Sequence, residues 1–306
     1  MDVKIAELKD GELARKIVEE LRNQSVSASC QREIIPDHGE IFGLYIANES
    51  DRERAIEVFC LMTGLGSPRP KEMPKEWLAM RSLSMGPVTL VVLVLCAVVF
   101  FSWKVMGSEN VYRLFLITNL QNAGLLEITN GEFWRLVTPS FLHFGWMHVI
   151  FNLLWWKDLG KVVESTKGPL YLVLFVILIS LGSNLGQYYI SGPLFGGLSG
   201  VVYALLGRLW VQRLIDDKFE FGLPKQDAIL MIAWFFLGLL NIMDMRMANM
   251  AHAMGLTLGM LSYLLVPECF KLLKSYAKLK LYGALLSFAL LIPVITYFVE
   301  LFHGRN

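Results

Sequence analysis

Long apolar runs recur along the chain from Gly86 onward and give the first expectation about its fold. The runs predict helical segments at 87–105, 146–163, 169–190, 199–215, 226–242, 250–267 and 281–299. A helix that crosses a bilayer needs roughly 20 apolar residues. Because several of these segments are slightly short or carry polar residues, we expect an all-α polytopic membrane protein whose helices are crowded into a bundle.

The first 67 residues show a shorter, amphipathic pattern. A helix predicted for 10–24 carries one apolar stripe, which consists of Leu13, Ile17, Val18 and Leu21. The segments SVSASC and IFGLYIA predict short strands. A second helix is expected to begin at a capping box, Ser50 to Glu53, and to end at Gly64. This βαββα-like order indicates a small α+β domain, in which His38 is expected to lie in a solvated loop.

Prolines separate this domain from the membrane segments. Pro68, Pro70 and Pro74 indicate a linker that cannot be one continuous helix. We therefore divide the chain into an α+β domain, a linker, a six-helix core, and a basic loop with a seventh C-terminal transmembrane helix, at 1–67, 68–85, 86–267 and 268–306.

Composition supports the membrane assignment. The chain is 55% hydrophobic and 18% charged, whereas soluble domains are about 45–50% apolar and about 25% charged. A net charge of +1 argues against a nucleic-acid partner. The 4 cysteines lack CxxC spacing, so no disulfide framework is predicted.

The distribution of basic residues predicts the orientation. The first residues are charged and contain no signal peptide, which indicates a cytoplasmic N-terminus. On the cytoplasmic side we then expect Lys157, Lys161, Lys167, Arg208, Arg213, Lys218, Lys225, Lys271, Lys274, Lys278 and Lys280. The opposite side holds Arg113, Arg135 and Arg246, which satisfies the positive-inside rule and leaves the C-terminus outside.

Polar side chains gather at the outer ends of three predicted segments. Ser199 opens the fourth segment in GGLSGVVYALLG, and His252 lies near the start of the sixth. His143, His148 and Asn152 occur at the start of the second, in FLHFGWMHVIFN. Polar groups within a membrane usually face the bundle interior and mark a functional site. The alternative is that they only tie helices together by hydrogen bonds.

These residue types suit hydrolysis by a serine. A hydroxyl becomes nucleophilic when a base such as imidazole takes its proton. At the first turn of a helix, Ser199 has free backbone N–H groups beside it, although it could also cap that helix. His148 and Asn152, four residues apart, could add donors to an oxyanion. Tyr203, one turn after Ser199, either packs against His252 or is simply a buried structural tyrosine.

The glycine spacing on the sixth segment predicts a close helix contact. Gly255 and Gly259 form a GxxxG motif, which lets two helix backbones approach. A direct hydrogen bond between Ser199 and His252 requires such an approach.

Other hydrolytic sites do not fit the sequence. The chain contains no HExxH motif, so an intramembrane zinc protease is not predicted. Val201 replaces the second glycine of a GxSxG nucleophile elbow. No pair of aspartates falls inside the spans, and no carboxylate is placed to orient His252. A Ser–His dyad is therefore favoured over a Ser–His–Asp triad.

Four stretches together resemble one family. GPLFGGLSGVVYALLG, FLHFGWMHVIFNLLWW, FWRL and MANMAHAMGLTLG resemble a rhomboid intramembrane serine protease of the bacterial GlpG type, over roughly residues 85 to 267. The resemblance implies a six-helix rhomboid catalytic core with a cytoplasmic N-terminal domain, located in the inner membrane of a bacterium. The run 281–299 has no counterpart in a six-helix GlpG, and Pro139 stands where that type can carry a histidine.

The resemblance also implies residue roles. Ser199 would be the nucleophile and His252 the general base and then acid. The oxyanion would be bound by the Ser199 backbone N–H and the side chains of His148 and Asn152. The remaining implied residues are Gly197, which would shape the serine loop, Tyr203, which would stack on His252, and Trp134 and Arg135, which would be structural. Neither a cofactor nor a metal is implied.

Substrate entry is expected to involve aromatic residues of the second and fifth segments. In the resembled family these helices form a lateral gate, which here would carry Phe151, Trp155 and Trp234. The loop with Met245 and Met247 would cap the site. From spacing alone, lipid-facing or core packing of these aromatics is the alternative. The implied partners are the lipid bilayer and single-span transmembrane substrates, with no nucleic acid.

Two other functions remain as alternatives. A catalytically inactive rhomboid-like binding protein would be expected to lack Ser199 or His252, and both are present. A transporter would show a polar path or paired interrupted helices, whereas the polar residues here gather at one depth. The segment 281–299 holds no residue that we assign to chemistry, so truncation after Lys280 is expected to retain proteolysis.

Overall fold

A computed structural model describes residues 3–35, 39–65, 74–119, 124–240 and 247–303, and structural statements below refer to these. The chain separates into two compact units, Met1–Met73 and Pro74–Asn306. His38, Pro68 and Pro70, for which the sequence predicts loop and linker, lie outside the described residues.

The N-terminal unit is a small α+β fold. Its elements are β1 (Val3–Leu8), α1 (Gly11–Asn23), β2 (Ala28–Ile35), β3 (Gly39–Ile46) and α2 (Arg52–Thr63). The three strands form an antiparallel sheet in the order β1-β3-β2. The predicted βαββα order is therefore confirmed, although β2 begins three residues later than SVSASC.

The two helices of this unit differ from the prediction in detail. In α1 the buried positions are Ala14, Ile17, Val18 and Leu21, whereas Leu13 is only half-buried. The predicted capping box is wrong. A 3₁₀ turn, Glu49–Asp51, precedes α2, so Asp51 occupies the N-cap and its side chain makes no capping bond. Gly64 does end α2, in the left-handed conformation that glycine favours.

The second unit is helical. Its elements are α3 (Lys75–Arg81), α4 (Pro87–Phe100, extended by a π turn over Phe101–Val105), α5 (Glu109–Phe115), α6 (Leu126–Thr129), the 3₁₀ turns Phe133–Leu136 and Thr138–Phe141, α7 (Trp146–Lys167), α8 (Pro169–Ser191), α9 (Ser199–Ile215), α10 (Lys225–Leu239), α11 (Asn249–Leu264), α12 (Pro267–Leu272) and α13 (Tyr276–His303). Each predicted apolar segment therefore coincides with a helix. The helix α3 lies within the predicted linker.

Three of these helices are long and apolar enough to cross a membrane by themselves, Pro87–Val105, Pro169–Ser191 and Tyr276–Phe302. The helices α9 and α11 are shorter, with 17 and 16 residues. Both are buried over most of their length, because they form the centre of the bundle. The protein is a multi-pass membrane protein.

Glycines let α11 lie directly against α9. A Cβ on Gly255 would collide with the carbonyl oxygen of Gly200, and a Cβ on Gly259 would collide with that of Ala204. The GxxxG prediction is thus confirmed as a backbone-to-backbone contact. The opposite side of α11 packs on α13, where the Thr257 hydroxyl donates to the Ala289 carbonyl at 2.8 Å.

Two buried charges stabilise the packing of the bundle. Glu164 on α7 accepts from the Val88 and Thr89 N–H groups at 2.8 and 2.9 Å and therefore caps α4. Arg208, which the sequence assigns to the cytoplasmic side, lies inside α9 with 1% exposure. Its guanidinium donates to the Ser262 carbonyl at 2.8 Å, so this arginine is part of the helix packing and not a loop charge.

Candidate active site

The hydroxyl of Ser199 and the ring of His252 meet where α9 and α11 begin. His252 Nε2 lies 2.7 Å from Ser199 Oγ. Leu198 occupies the N-cap of α9, and no side-chain bond caps the helix, so Ser199 begins the helix without capping it. Gly200 directly follows Ser199, and Gly255 lies three residues after His252, on the same face of α11. The close contact of these two glycines therefore explains how Ser199 and His252 come within hydrogen-bond distance.

Tyr203 holds the His252 ring on one side. The two ring centroids are 4.8 Å apart with an interplanar angle of 36°. The Tyr203 hydroxyl donates to the Met231 carbonyl of α10 at 2.9 Å, which fixes the phenol in turn. His252 Nδ1 is buried and has no hydrogen-bond partner among the described residues. Among the described residues, the arrangement is therefore a Ser–His pair in which no third side chain bonds to the ring.

The loop before Ser199 depends on Gly197. Its φ is +129°, a conformation that side chains disfavour. A Cβ there would lie 2.6 Å from His148 Nε2 and 3.6 Å from Ser199 Oγ. The Gly197 N–H donates to the Pro139 carbonyl at 2.9 Å. A backbone carbonyl at position 139 thus anchors the serine loop, and proline supplies it as well as any residue would.

His143 has a role that the sequence analysis did not assign. It is fully buried, and its Nε2 accepts the Leu198 N–H at 3.3 Å. Nδ1 therefore carries the ring proton and donates to the Phe141 carbonyl at 3.2 Å. His143 supports the serine loop from behind. The motif FLHFGWMH indicates that both of its histidines lie near the site. Spacing alone does not show which of them supports the serine loop and which faces the substrate.

His148 and Asn152 lie one turn apart on α7. The Gly197 geometry places the His148 ring beside the serine loop. Asn152 is buried, and its Nδ2 donates to the His148 carbonyl at 2.8 Å. An amide nitrogen has two hydrogens, so it can donate to that carbonyl and to a substrate oxygen at once.

The structure brings two of the three predicted gate residues together. The rings of Phe151 on α7 and Trp234 on α10 have centroids 6.3 Å apart, and both side chains are exposed on the bundle surface. Trp155 is half-buried and packs against the core. Met245 lies outside the described residues, whereas Met247 lies against Gly238 near the start of α11.

The loop between α4 and α7 is held by Arg135. This arginine is buried, and Nη1 donates to the Arg113 and Leu116 carbonyls at 2.7 and 2.8 Å, while Nε pairs with Glu132 at 2.7 Å. The contacts are structural, as the sequence resemblance implies.

The arrangement supports acyl transfer through a serine. Ser199 is half-buried, so its hydroxyl is reachable, and His252 is in position to take its proton. Over the part of the chain that the structure describes, no group of three or more His, Cys, Asp or Glu side chains is arranged to hold a metal ion.

A comparison with protein families agrees with this geometry. The family model described as Rhomboid domain matches residues 130–268. The matched range begins just before Arg135, includes α7 to α11, and contains Ser199 and His252, whereas α13 lies beyond it. Residues 130–268 are therefore similar to the rhomboid domain, which defines a family of intramembrane serine proteases.

Proposed function

We propose that this protein is an active intramembrane serine endopeptidase that uses Ser199 and His252 as a catalytic dyad. The single observation that carries the proposal is the 2.7 Å contact between Ser199 Oγ and His252 Nε2. The Tyr203 ring and the Gly200–Gly255 contact hold Ser199 and His252 in this geometry before a substrate binds. Electrostatic catalysis requires such preorganisation.

The reaction follows from the positions of these atoms. His252 Nε2 takes the hydroxyl proton while Ser199 Oγ attacks the peptide carbonyl carbon. The resulting oxyanion is bound by the Ser199 backbone N–H, which no helical carbonyl satisfies at the first turn, and by donors from His148 and Asn152. The imidazolium then gives its proton to the leaving amine. A water molecule, deprotonated by His252, hydrolyses the acyl-enzyme.

The substrates are proposed to be single-span membrane proteins that enter sideways between α7 and α10. A peptide bond within a helix is shielded by its own hydrogen bonds, so the helix must unwind near Ser199. Small residues at the scissile bond and helix-weakening residues beyond it lower this cost. The exposed Phe151–Trp234 contact marks the seam that must open.

The finer assignments belong to the same proposal. We infer a bacterial GlpG type with α13 added, inserted in the inner membrane with the N-terminus in the cytoplasm. The basic residues of the α11–α13 connection and of the loop after α9 support this orientation. An inactive binding protein is less well supported, since the Ser199–His252 hydrogen bond is formed.

The proposal is tested by cleavage of a single-span substrate in liposomes. Ser199→Ala and His252→Ala should abolish cleavage and also labelling by a fluorophosphonate, which reacts only with an activated serine. Ser191→Ala is the matched control, because Ser191 is exposed at the end of α8. Full cleavage by purified Ser199→Ala, or a wild-type protein that neither cleaves nor takes up the label, would contradict the assignment.

A further inference from the structure

The start of α11 is connected to two other helices through one side chain. Asn249, the first residue of α11, is 6% exposed. Its Nδ2 donates to the Gly238 carbonyl of α10 at 3.1 Å and to Glu300 Oε1 of α13 at 2.7 Å. One amide therefore joins the seventh helix to the helix that carries Trp234.

This link lies at the same end of the bundle as the dyad. The helix α13 runs antiparallel to α11, because Thr257 meets Ala289 while Asn249 meets Glu300. Asn249 and His252 share the first turn of α11, and the His252 N–H donates to the Ala248 carbonyl in that turn. Glu300 is thus linked to α10 through Asn249, at the end of the bundle where the gate is proposed to open.

The contact between α10 and the start of α11 is built around a glycine. A Cβ on Gly238 would lie 2.5 Å from Met247 Sδ and 2.8 Å from Asn249 Oδ1. The Gly238 carbonyl can therefore come within reach of the Asn249 amide. The other side-chain bonds that hold α10 lie elsewhere along it, at the Met231 carbonyl and at Asp227.

A carboxylate in this position requires an explanation. Burying an acidic side chain in a membrane helix costs free energy, so such side chains usually bond to another group or face a water-filled cavity. They often mark functional positions. A bond from an amide to a carboxylate is stronger than one between neutral groups. Glu300 lies in the last turn of α13, where its carboxylate accepts from the Asn249 amide and can therefore contribute to helix packing.

We propose that Glu300 is a positioning residue that latches the gate. By binding Asn249, it orients the amide that holds the Gly238 carbonyl, and so it favours the closed position of α10. The inference rests on the proposed function, because it assumes that substrates enter between α7 and α10. It is compatible with the expectation that truncation after Lys280 retains proteolysis, because loss of the latch should raise cleavage.

Loss of this bond should open the gate without disturbing the dyad. In Glu300→Leu, cleavage of a transmembrane substrate in liposomes should rise about fivefold. This is the factor by which the net free energy of one hydrogen bond shifts the equilibrium between a closed and an open gate. Fluorophosphonate labelling of Ser199 should stay within about twofold, because a small probe needs no open gate. Glu300→Gln keeps an acceptor oxygen for a weaker, neutral bond and should fall between wild type and Glu300→Leu.

A second measurement reads the gate independently of chemistry. Phe151→Cys and Trp234→Cys are combined, and the two new thiols are oxidised to a disulfide in the membrane. The rate of this crosslinking is compared with and without Glu300→Leu. We expect crosslinking to slow when the latch is lost, by a smaller factor than cleavage rises, because the closed state remains the major one. Thr296→Val is the matched control on α13, because the buried Thr296 hydroxyl bonds only to Ile292 of its own helix.

The outcomes separate the two proposals. Unchanged crosslinking and cleavage in Glu300→Leu would overturn the latch, and so would a parallel loss of cleavage and labelling, which would show general support of the dyad. If wild type shows no labelling, the proposed function fails while the crosslinking rate still tests the latch. If Glu300→Leu does not insert, Asn249→Ala breaks the same link from α11 and carries the same expectations.

Discussion

The contact between Gly255 and Gly200 should set the distance between the two members of the dyad. In Gly255→Ala, the added methyl would lie 2.8 Å from the carbonyl carbon of Gly200 and 3.1 Å from its Cα, and closer still to the carbonyl oxygen. Carbon atoms pack at about 3.5–4.0 Å. The two helices must therefore separate by roughly 0.7 Å at the carbonyl carbon, and by more at the oxygen.

This displacement acts directly on the dyad. The Ser199–His252 distance of 2.7 Å would increase to about 3.4 Å or beyond, outside the normal range of such a bond. A misplacement of about 1 Å can cost roughly 10²-fold in rate. We expect Gly255→Ala to lose about 10²-fold in cleavage, and overpacking to lower the free energy of unfolding by about 1–3 kcal/mol.

The assay is cleavage of a single-span substrate in liposomes, with fluorophosphonate labelling and thermal unfolding measured in parallel. Gly283→Ala is the control, because a Cβ at this exposed position of α13 would meet nothing within 4 Å. It should keep the wild-type rate and gain slightly in helix stability. A folded Gly255→Ala with the wild-type rate would refute the claim that this contact sets the dyad distance.

Three further predictions address the donors, the serine loop and the gate. His148→Ala or Asn152→Ala should each lower kcat about 10²–10³-fold; if neither single change alters the rate, only backbone donors remain. Gly197→Ala should strongly lower fluorophosphonate labelling, since its Cβ would lie 2.6 Å from His148 Nε2; normal labelling would contradict the strained-loop argument. Phe151→Ala combined with Trp234→Ala should lower the melting temperature somewhat and raise cleavage of a transmembrane substrate, whereas a loss of both stability and activity would favour core packing.

Local patterns in the sequence predicted much of the fold because helices are determined mainly by short-range periodicity. The apolar run at 199–215 coincides with α9, and the GxxxG spacing of Gly255 and Gly259 predicted the backbone contact that the structure contains. The capping box at Ser50 failed for a local reason as well. A 3₁₀ turn over Glu49–Asp51 competed for the same backbone groups.

The rest of the candidate site could not be predicted, because it depends on contacts between distant positions. Glu300 and Asn249 are separated by 51 residues, and nothing in either segment indicates the other. The role of His143 depends on which backbone N–H reaches its ring, which only the packed loops decide. The charge pattern predicts a loop position for Arg208, because the sequence does not reveal that the Ser262 carbonyl of α11 accepts a hydrogen bond from its guanidinium.

The short helix α3 is bonded to the first turn of α10. The indole of Trp77 donates to Asp227 Oδ2 at 2.7 Å, and Asp227 lies in the first turn of α10. If substrates enter between α7 and α10 as proposed, a shift of α3 would act on α10 through this bond, and it would change how often substrates enter while the rate of peptide-bond cleavage stays the same.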